Sequence, residues 1–432
     1  MSSCSTDRRS FVKSLAAGAA AAPVLSLFGP LRQAFAADLE RAGLATHTRG
    51  SFAQLRSAYM LDPKVTYLNH ASIGTIPTAV FDARSRYQEL CEKNPWLYMW
   101  GGAWEGAREE VRAEAASLLH CKASEVSFTH NTTEAFNVLA HGLPLGRGDE
   151  VVFSSLNHDG ASVCWSHMAP ERGFTVKRFQ FPVSDVPKLT KADILNLYDE
   201  QITSKTRVLV LPHIDNMVGL RHPVRELAEL ARSKGVEFVA VDAAQTVGMM
   251  SVDVQRMGVD MFAASPHKWL QAPKGLGLMY LSESVRERVH PMWVTWGQRR
   301  DGWRGTGRIY EDYGTRNLAE VLTLADAIEF QSRMRPVERE ARLRELWEYT
   351  RRRAMEHPRT NWRSPHSWEL GGSLYAVEIR DKNITEVSEW MFREHGIVFR
   401  PFRSQGLNTA RISPNVFNTE EEIERFLRLA TG

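Results

Sequence analysis

Cysteine is scarce in this chain: four in 432 residues, at Cys4, Cys91, Cys121 and Cys164. That is too few and too scattered for a disulfide scaffold or a zinc module, and no metal centre is expected. Long apolar runs are also missing. None reaches the ~18 uncharged residues a membrane span needs, which excludes a stable membrane anchor. Charge of one sign is lacking as well, since 54 Lys and Arg face 51 Asp and Glu for a net +3. Nothing in that balance gives an electrostatic footprint for nucleic acid. There is no internal repeat and no low-complexity linker. What remains is 43% apolar residues, ample for a packed core. At roughly 100–200 residues per domain, the length predicts two or three domains, or one large one with an appendage.

The N-terminus reads as an address rather than as fold. Asp7-Arg8-Arg9-Ser10-Phe11-Val12-Lys13 precedes an alanine-rich apolar stretch, Leu15 to Phe28, and Ala34-Phe35-Ala36 offers the small-x-small pattern of a peptidase site. The paired arginines resemble the bacterial twin-arginine export signal, which implies passage through the Tat translocase to the periplasm. Residues 1–36 are expected to be removed, leaving a mature start near Ala37. They carry Arg8, Arg9, Lys13 and Arg32 against Asp7, so the formal charge of the remainder is zero. Three cysteines would remain, and an odd number predicts at least one free thiol. Such export typically carries folded, cofactor-loaded proteins.

Beyond an N-terminal segment (37–68), a large domain is expected over 69–325. A helix-patterned stretch, Ala107 to Leu119, opens an alternation. Short β-rich runs follow at Val126–Phe128, Val151–Phe153, Val176–Phe179, Val208–Leu211, Phe238–Val241, Met261–Ala263 and Leu276–Tyr280, with helical segments between most of them. Strands apolar throughout and separated by helices predict an α/β domain whose mostly parallel sheet is covered on both faces. From 326 to 432 a smaller α+β domain is expected. It holds a charge-rich helix from Val337 to Arg353, strand-like runs at Leu374–Ile379 and Ile397–Phe399, and a last helix opened by a capping box, Thr419 with Glu422.

The chemistry concentrates in Val239-Ala240-Val241-Asp242-Ala243-Ala244-Gln245 and Ala263-Ala264-Ser265-Pro266-His267-Lys268-Trp269. Asp242 ends an apolar strand, which places its carboxylate at the sheet's C-terminal edge, where open α/β sheets bind ligands. Lys268 also follows a strand, and its apolar company suits a lysine of lowered pKa that forms a Schiff base. Pyridoxal phosphate needs this pair: a lysine for its aldehyde, and an acid facing its pyridinium nitrogen.

Asp-x-x-Gln followed about 20 residues later by Ser-x-His-Lys resembles the class V aminotransferase family of fold type I pyridoxal phosphate enzymes, over nearly the whole mature chain. The resemblance implies Lys268 on the aldehyde, Asp242 on the ring nitrogen, Gln245 on the phenolic oxygen, and Ser265 and His267 on the phosphate. Thr129-His130-Asn131-Thr132-Thr133-Glu134-Ala135 leads from strand to helix, and corresponds to the family's phosphate loop, implying Thr132 and Thr133. The family's usual glycine is replaced there by Asn131. Leu156-Asn157-His158-Asp159 resembles the segment whose histidine stacks on the ring, hence His158; Asn157 stands where desulfurases carry Glu. Tyr313-Gly314-Thr315-Arg316-Asn317 resembles the stretch that reaches the neighbouring subunit's phosphate. It implies Thr315 as a cofactor ligand and a homodimer with shared sites.

Two features distinguish the branch. The stretch Arg403 to Arg411 has no cysteine, where the desulfurases carry their nucleophile, and none follows Cys164. Arg411 matches the arginine that grips a substrate carboxylate. The opening Tyr67-Leu68-Asn69-His70-Ala71-Ser72-Ile73-Gly74 is similar to the isopenicillin N epimerase-like branch and makes Asn69, His70 and Ser72 substrate-side candidates. The expected activity is amino-group chemistry on an amino acid or related amine, with Lys268 as general base and Asp242 and His158 as its catalytic partners. Transamination, epimerisation and elimination all remain open on these residues. A ligand-binding protein without turnover is the other class, and intact Lys268, Asp242 and His158 speak against it. An exported member of this family also resembles the periplasmic enzymes that tailor pyoverdine siderophores.

Overall fold

The computed structural model describes residues 21–42, 44 and 52–432, with side chains described from Phe28 onward. Arg8, Arg9 and Lys13 lie outside the described residues. The strands are β1 (Thr66–Tyr67), β2 (Val126–Thr129), β3 (Glu150–Ser154), β4 (Thr175–Phe179), β5 (Thr206–Pro212), β6 (Phe238–Asp242) and β7 (Met261–Ala264). They continue with β8 (Gly277–Leu281), β9 (Thr360–Trp362), β10 (Tyr375–Ile379), β11 (Ile397–Val398), β12 (Arg400–Phe402) and β13 (Thr409–Ile412).

Seven of them form the large sheet in the order β2-β8-β7-β6-β5-β3-β4. The pairs from β7 through β6, β5 and β3 to β4 are parallel, and β8 runs antiparallel to both β7 and β2. The expected mostly parallel sheet is therefore present, with one reversed strand near its edge. Strand β6 is buried along its whole length, as are β7 and β8, because helices cover both faces. One such helix, Val224–Ser233, buries Val224, Leu227, Ala228 and Ala231 and is followed by Gly235 at φ 85°. A side chain at that left-handed position would be strained, which is why the helix ends there.

The smaller sheet is antiparallel in the order β12-β13-β10-β9. Its outer helices are Pro336–Glu356, Ile384–His395 and Glu420–Thr431, the last opened by the expected Thr419/Glu422 capping box. Strand β1 pairs in parallel with β11, so the segment just before Asn69 is anchored on this smaller domain. Helix Leu318–Arg333 runs through the boundary expected at 325/326, and the chain turns into the next helix at Arg335, φ 57°.

The described N-terminal residues bear on the cut expected after Ala36. Helix Ala21–Arg41 crosses the boundary expected after Ala36. Phe28, Phe35, Leu39 and Leu44 belong to the main apolar core, Phe35 with no exposed surface. Arg32 pairs with Glu114 at 3.3 Å and Glu329 at 3.2 Å, and is a cation opposing buried Asp326, whose carboxyl burial pushes up to about 7. A cut at Ala36 would remove Phe28, Arg32 and Phe35 from a packed interface. The alanines around Phe35 satisfy helix propensity as well as a peptidase pattern, and the sequence alone does not separate the two.

Candidate active site

The C-terminal ends of the parallel strands open onto a cavity of about 290 Å³ lined by Ser72, Thr132, Thr133, His158, Asp242, Gln245, Ser265, His267 and Lys268. Nine residues separated by up to 196 positions converge there because each follows a strand or opens a helix at one sheet edge. Asp242 is the last residue of β6, and its Oδ1 accepts from the Ala244 N–H at 3.0 Å, which fixes the carboxylate over the edge.

Lys268 sits in the turn after β7, and its backbone N–H donates to the Ser265 carbonyl at 3.1 Å. That turn is clamped from the other side by Gly74, whose N–H donates to the His267 carbonyl at 2.9 Å. A Cβ at Gly74 would meet the Lys268 carbonyl oxygen at 2.0 Å, so only glycine allows this approach. Burial lowers the Lys268 ammonium to about 8; Asp242 opposes the shift and Arg411 adds to it. A neutral amine is thus accessible near physiological pH, as a lysine nucleophile or base requires.

The cavity's other end suits a phosphate. Helix Thr132–Gly142 aims its N-terminus at it, with Asn131 capping through the Glu134 N–H. The Thr132 and Ser265 hydroxyls lie 2.8 Å apart. The His267 Nδ1 is buried without a partner, and burial, then the nearby Lys268, lowers the imidazole to about 4, so it is neutral. Gly160 keeps the wall thin: a Cβ there would meet the Thr133 Oγ1 at 2.5 Å and the His158 Nδ1 at 3.2 Å. An unpaired nitrogen, two hydroxyls and a helix terminus at one end, with an acid and a lysine at the other, are the donor set pyridoxal phosphate requires. The residues present fit it.

His158 caps helix Asp159–Arg172, its Nδ1 accepting from the Gly160 N–H at 3.0 Å. Its ring lines the cavity, in keeping with the stacking role. Asn157 is buried and structural: its Oδ1 accepts from Ser154 and its Nδ2 donates to the Val210 carbonyl. Gln245 is more constrained than the sequence implies. Its amide donates to the Ala71 carbonyl and accepts from the Trp269 indole, both at 2.9 Å, which leaves one N–H for a ligand.

On the substrate side the structure separates the candidates. Arg411 is 2% exposed and lies behind the cavity wall. Its guanidinium donates to the Asn216 carbonyl at 3.0 Å, to the Asn69 Oδ1 at 2.7 Å and to the Ser72 Oγ. Ser72 and Asn216 line the cavity themselves. Arg411 hydrogen-bonds only to neutral acceptors; burial, then Arg400, lowers it to about 9 against the opposing pull of Asp215, whose oxygens are taken by backbone N–H groups, so the guanidinium keeps donors suited to a substrate anion. Asn69 positions Arg411 rather than facing the cavity. His70 is a correction: it is fully buried between Tyr67, Trp269 and Phe417, and burial drops it to about 3. It is a neutral packing residue. Thr315 lies away from Lys268, in a second cavity with Trp100, Trp296 and Arg316.

Sequence reasoning missed Asn216 and the residue behind it. Asp215 accepts backbone N–H groups from Met217, Val218 and Leu220 at 2.8, 2.8 and 2.5 Å, and folds the loop that presents the Asn216 carbonyl to Arg411. An aspartate followed by Asn-Met-Val-Gly reads as an Asx turn in hindsight. Gln405, at φ 53° in the cysteine-free stretch before Arg411, accepts from the Ser155 Oγ and donates to the Ser155 carbonyl, both at 2.7 Å. None of the three described cysteines lines the Lys268 cavity.

Residues 66–426 match the family model described as aminotransferase class-V. The chain is 30% identical over 403 residues to an isopenicillin N epimerase of Amycolatopsis lactamdurans, covering 87% of this chain and 96% of that protein. It is 28% identical over 391 residues to an isopenicillin N epimerase of Streptomyces clavuligerus, covering 86% and 96%. Among solved structures, a cysteine desulfurase of Escherichia coli superimposes with a TM-score of 0.74 at 25% identity, covering 88% of this chain and 97% of that one. The family match over most of the chain and the near-full-length relatives show that the chain belongs to the aminotransferase class-V family of pyridoxal phosphate enzymes, with the fold type I architecture.

Proposed function

We propose that this enzyme carries out amino-group chemistry of the aminotransferase type on an amino acid or an amino-acid-bearing metabolite such as a siderophore peptide. The observation that carries the reading is the pairing of a lowered-pKa Lys268 with an Arg411 held by neutral acceptors, in a cavity with no thiol. Pyridoxal phosphate, when bound, supplies an electron sink for charge left at the substrate's α-carbon. Asp242 holds a carboxylate where the ring nitrogen needs a counter-charge. Arg411 orients the substrate carboxylate once that carboxylate replaces Ser72 as its partner, and Lys268 takes and returns the α-proton from one side.

Transamination needs only this one base. Inversion needs a second proton donor on the opposite side, and His158 is the titratable side chain lining the cavity there as the ring-stacking group. The near-full-length likeness to isopenicillin N epimerases favours epimerisation as the second reading. The test is to supply L- and D-amino acids and glutamyl peptides to the holoenzyme in deuterated water. A keto product with aminated cofactor supports the proposal. Recovery of inverted, α-deuterated substrate without keto product overturns it in favour of epimerisation.

The proposal includes a homodimer in which Thr315 serves the partner's site, which its position beside exposed Trp100 and Trp296 supports. It also includes twin-arginine export to the periplasm, based on Arg8 and Arg9, with any cut falling upstream of Phe28.

A further inference from the structure

A third cavity, of about 150 Å³, lies behind the lysine loop, between the end of helix Glu105–Leu119, the 247–252 loop and the junction of helices Leu318–Arg333 and Pro336–Glu356. Its rim is polar and exposed, with Ser117, Ser251 and Ser332, and its floor is buried, with Leu270, Gln331 and Arg339. Arg339 is 5% exposed, yet among the described residues no carboxylate pairs with it. Its Nη1 donates to the Gln331 Oε1 at 2.6 Å, and its Nε has no partner. The Gln331 Nε2 in turn donates to the Gln271 Oε1 at 2.8 Å, which also accepts from the Tyr59 hydroxyl at 2.8 Å, leaving the Gln271 Nε2 without an acceptor.

This network has surplus donors and no hydrogen-bonded acid; Glu340, next in the chain, pulls the Arg339 value up but forms no ion pair with it among the described residues. Arg339 also sits in the first turn of a long helix, where the backbone dipole disfavours a cation and favours an anion. Burial lowers the guanidinium only to about 10, so the charge persists at neutral pH. A buried, unpaired arginine is costly, and an anion arriving from solvent relieves that cost. Apart from His120 at the exposed rim, the remaining walls, including Val252, Leu270 and Ile328, are apolar. A space of this size matches a six-membered ring, since an apolar cavity of about 150 Å³ holds benzene.

We propose that this cavity binds a small organic carboxylate, its apolar body against Val252, Leu270 and Ile328 and its carboxylate on Arg339. The ligand would join the junction of helices Leu318–Arg333 and Pro336–Glu356 to Leu270, which follows Lys268 in the chain by two residues. Its place is separate from the Lys268 cavity, and the proposal stands independently of the reaction type.

The test is thermal melting of the holoenzyme with benzoate as the probe and benzyl alcohol as its neutral counterpart. Benzoate should raise the melting temperature in a saturable way, benzyl alcohol should do so at least about tenfold more weakly, and Arg339→Met should abolish the benzoate shift. An equal benzoate shift in Arg339→Met, which places the binding at Arg411 or elsewhere, overturns the proposal, as does no shift in the unaltered enzyme. If Arg339→Met does not fold, Ser332→Trp at the rim replaces it: loss of the shift supports the site and an unchanged shift overturns it.

Discussion

Lys268 owes its chemistry to where it sits rather than to what it is. An ordinary lysine titrates near 10.4; burial brings this one to about 8 against the opposing pull of Asp242. The sign of the consequence is fixed. Lowering a lysine's pKa favours the neutral amine, so attachment of pyridoxal phosphate to the apoprotein should accelerate as pH rises through about 8 and level off above it. Asp242→Asn removes the group that raises the value and should move that midpoint lower. Stopped-flow absorbance of reattachment between pH 6 and 10 checks both. A rate still climbing at pH 10 would mean that the amine is solvated like any surface lysine. At this scale Lys268, Asp242, Thr132 and Ser265 were legible, because each carries a motif that locates it at a strand end. His70 was not: a buried packing histidine and a ligand histidine are the same letter, and only its ring neighbours distinguish them.

At the scale of elements, the seven strands of the large sheet fall where β-rich runs predict them; for all but the half-exposed edge strand β4 the reason is that strands buried on both faces have little freedom in composition. Strands β12 and β13 were missed. They lie in a stretch where arginines, a proline and a glycine dilute the β pattern, and pairing to β10 supplies what local preference does not. The N-terminal helix was legible only as an export signal. Full burial of a phenylalanine contributes roughly 1.5–3 kcal/mol, and Arg32 adds a cation facing Glu114, Asp326 and Glu329. A chain starting at Ala37 should therefore melt several degrees below one starting at Ala21. Protein purified from the native cell should retain residues 28–36, read from its intact mass. A native N-terminus at Ala37 with unchanged melting would show that the helix contributes nothing to the fold.

At the scale of the whole molecule, one sheet edge gathers a lysine, an acid, a phosphate cradle and, from the smaller domain, an arginine facing inward through Ser72 and Asn69. The large domain supplies the cofactor end and the smaller domain the carboxylate end. The β1–β11 pairing and the Asn69–Ser413 bridge join the two domains beside Ser72. This division was only partly visible beforehand, since Asp215 and Asn216 act through backbone geometry that residue type does not announce. The account turns on Lys268 carrying the cofactor in the cavity at the edge of the large sheet. The direct measurement is borohydride reduction of the purified holoenzyme, followed by proteolysis and mass mapping of the pyridoxyl group. The account predicts a single reduced adduct on Lys268, absent from Lys268→Ala; an adduct on another lysine, or a protein that purifies with no reducible cofactor and cannot be loaded with it, would contradict it.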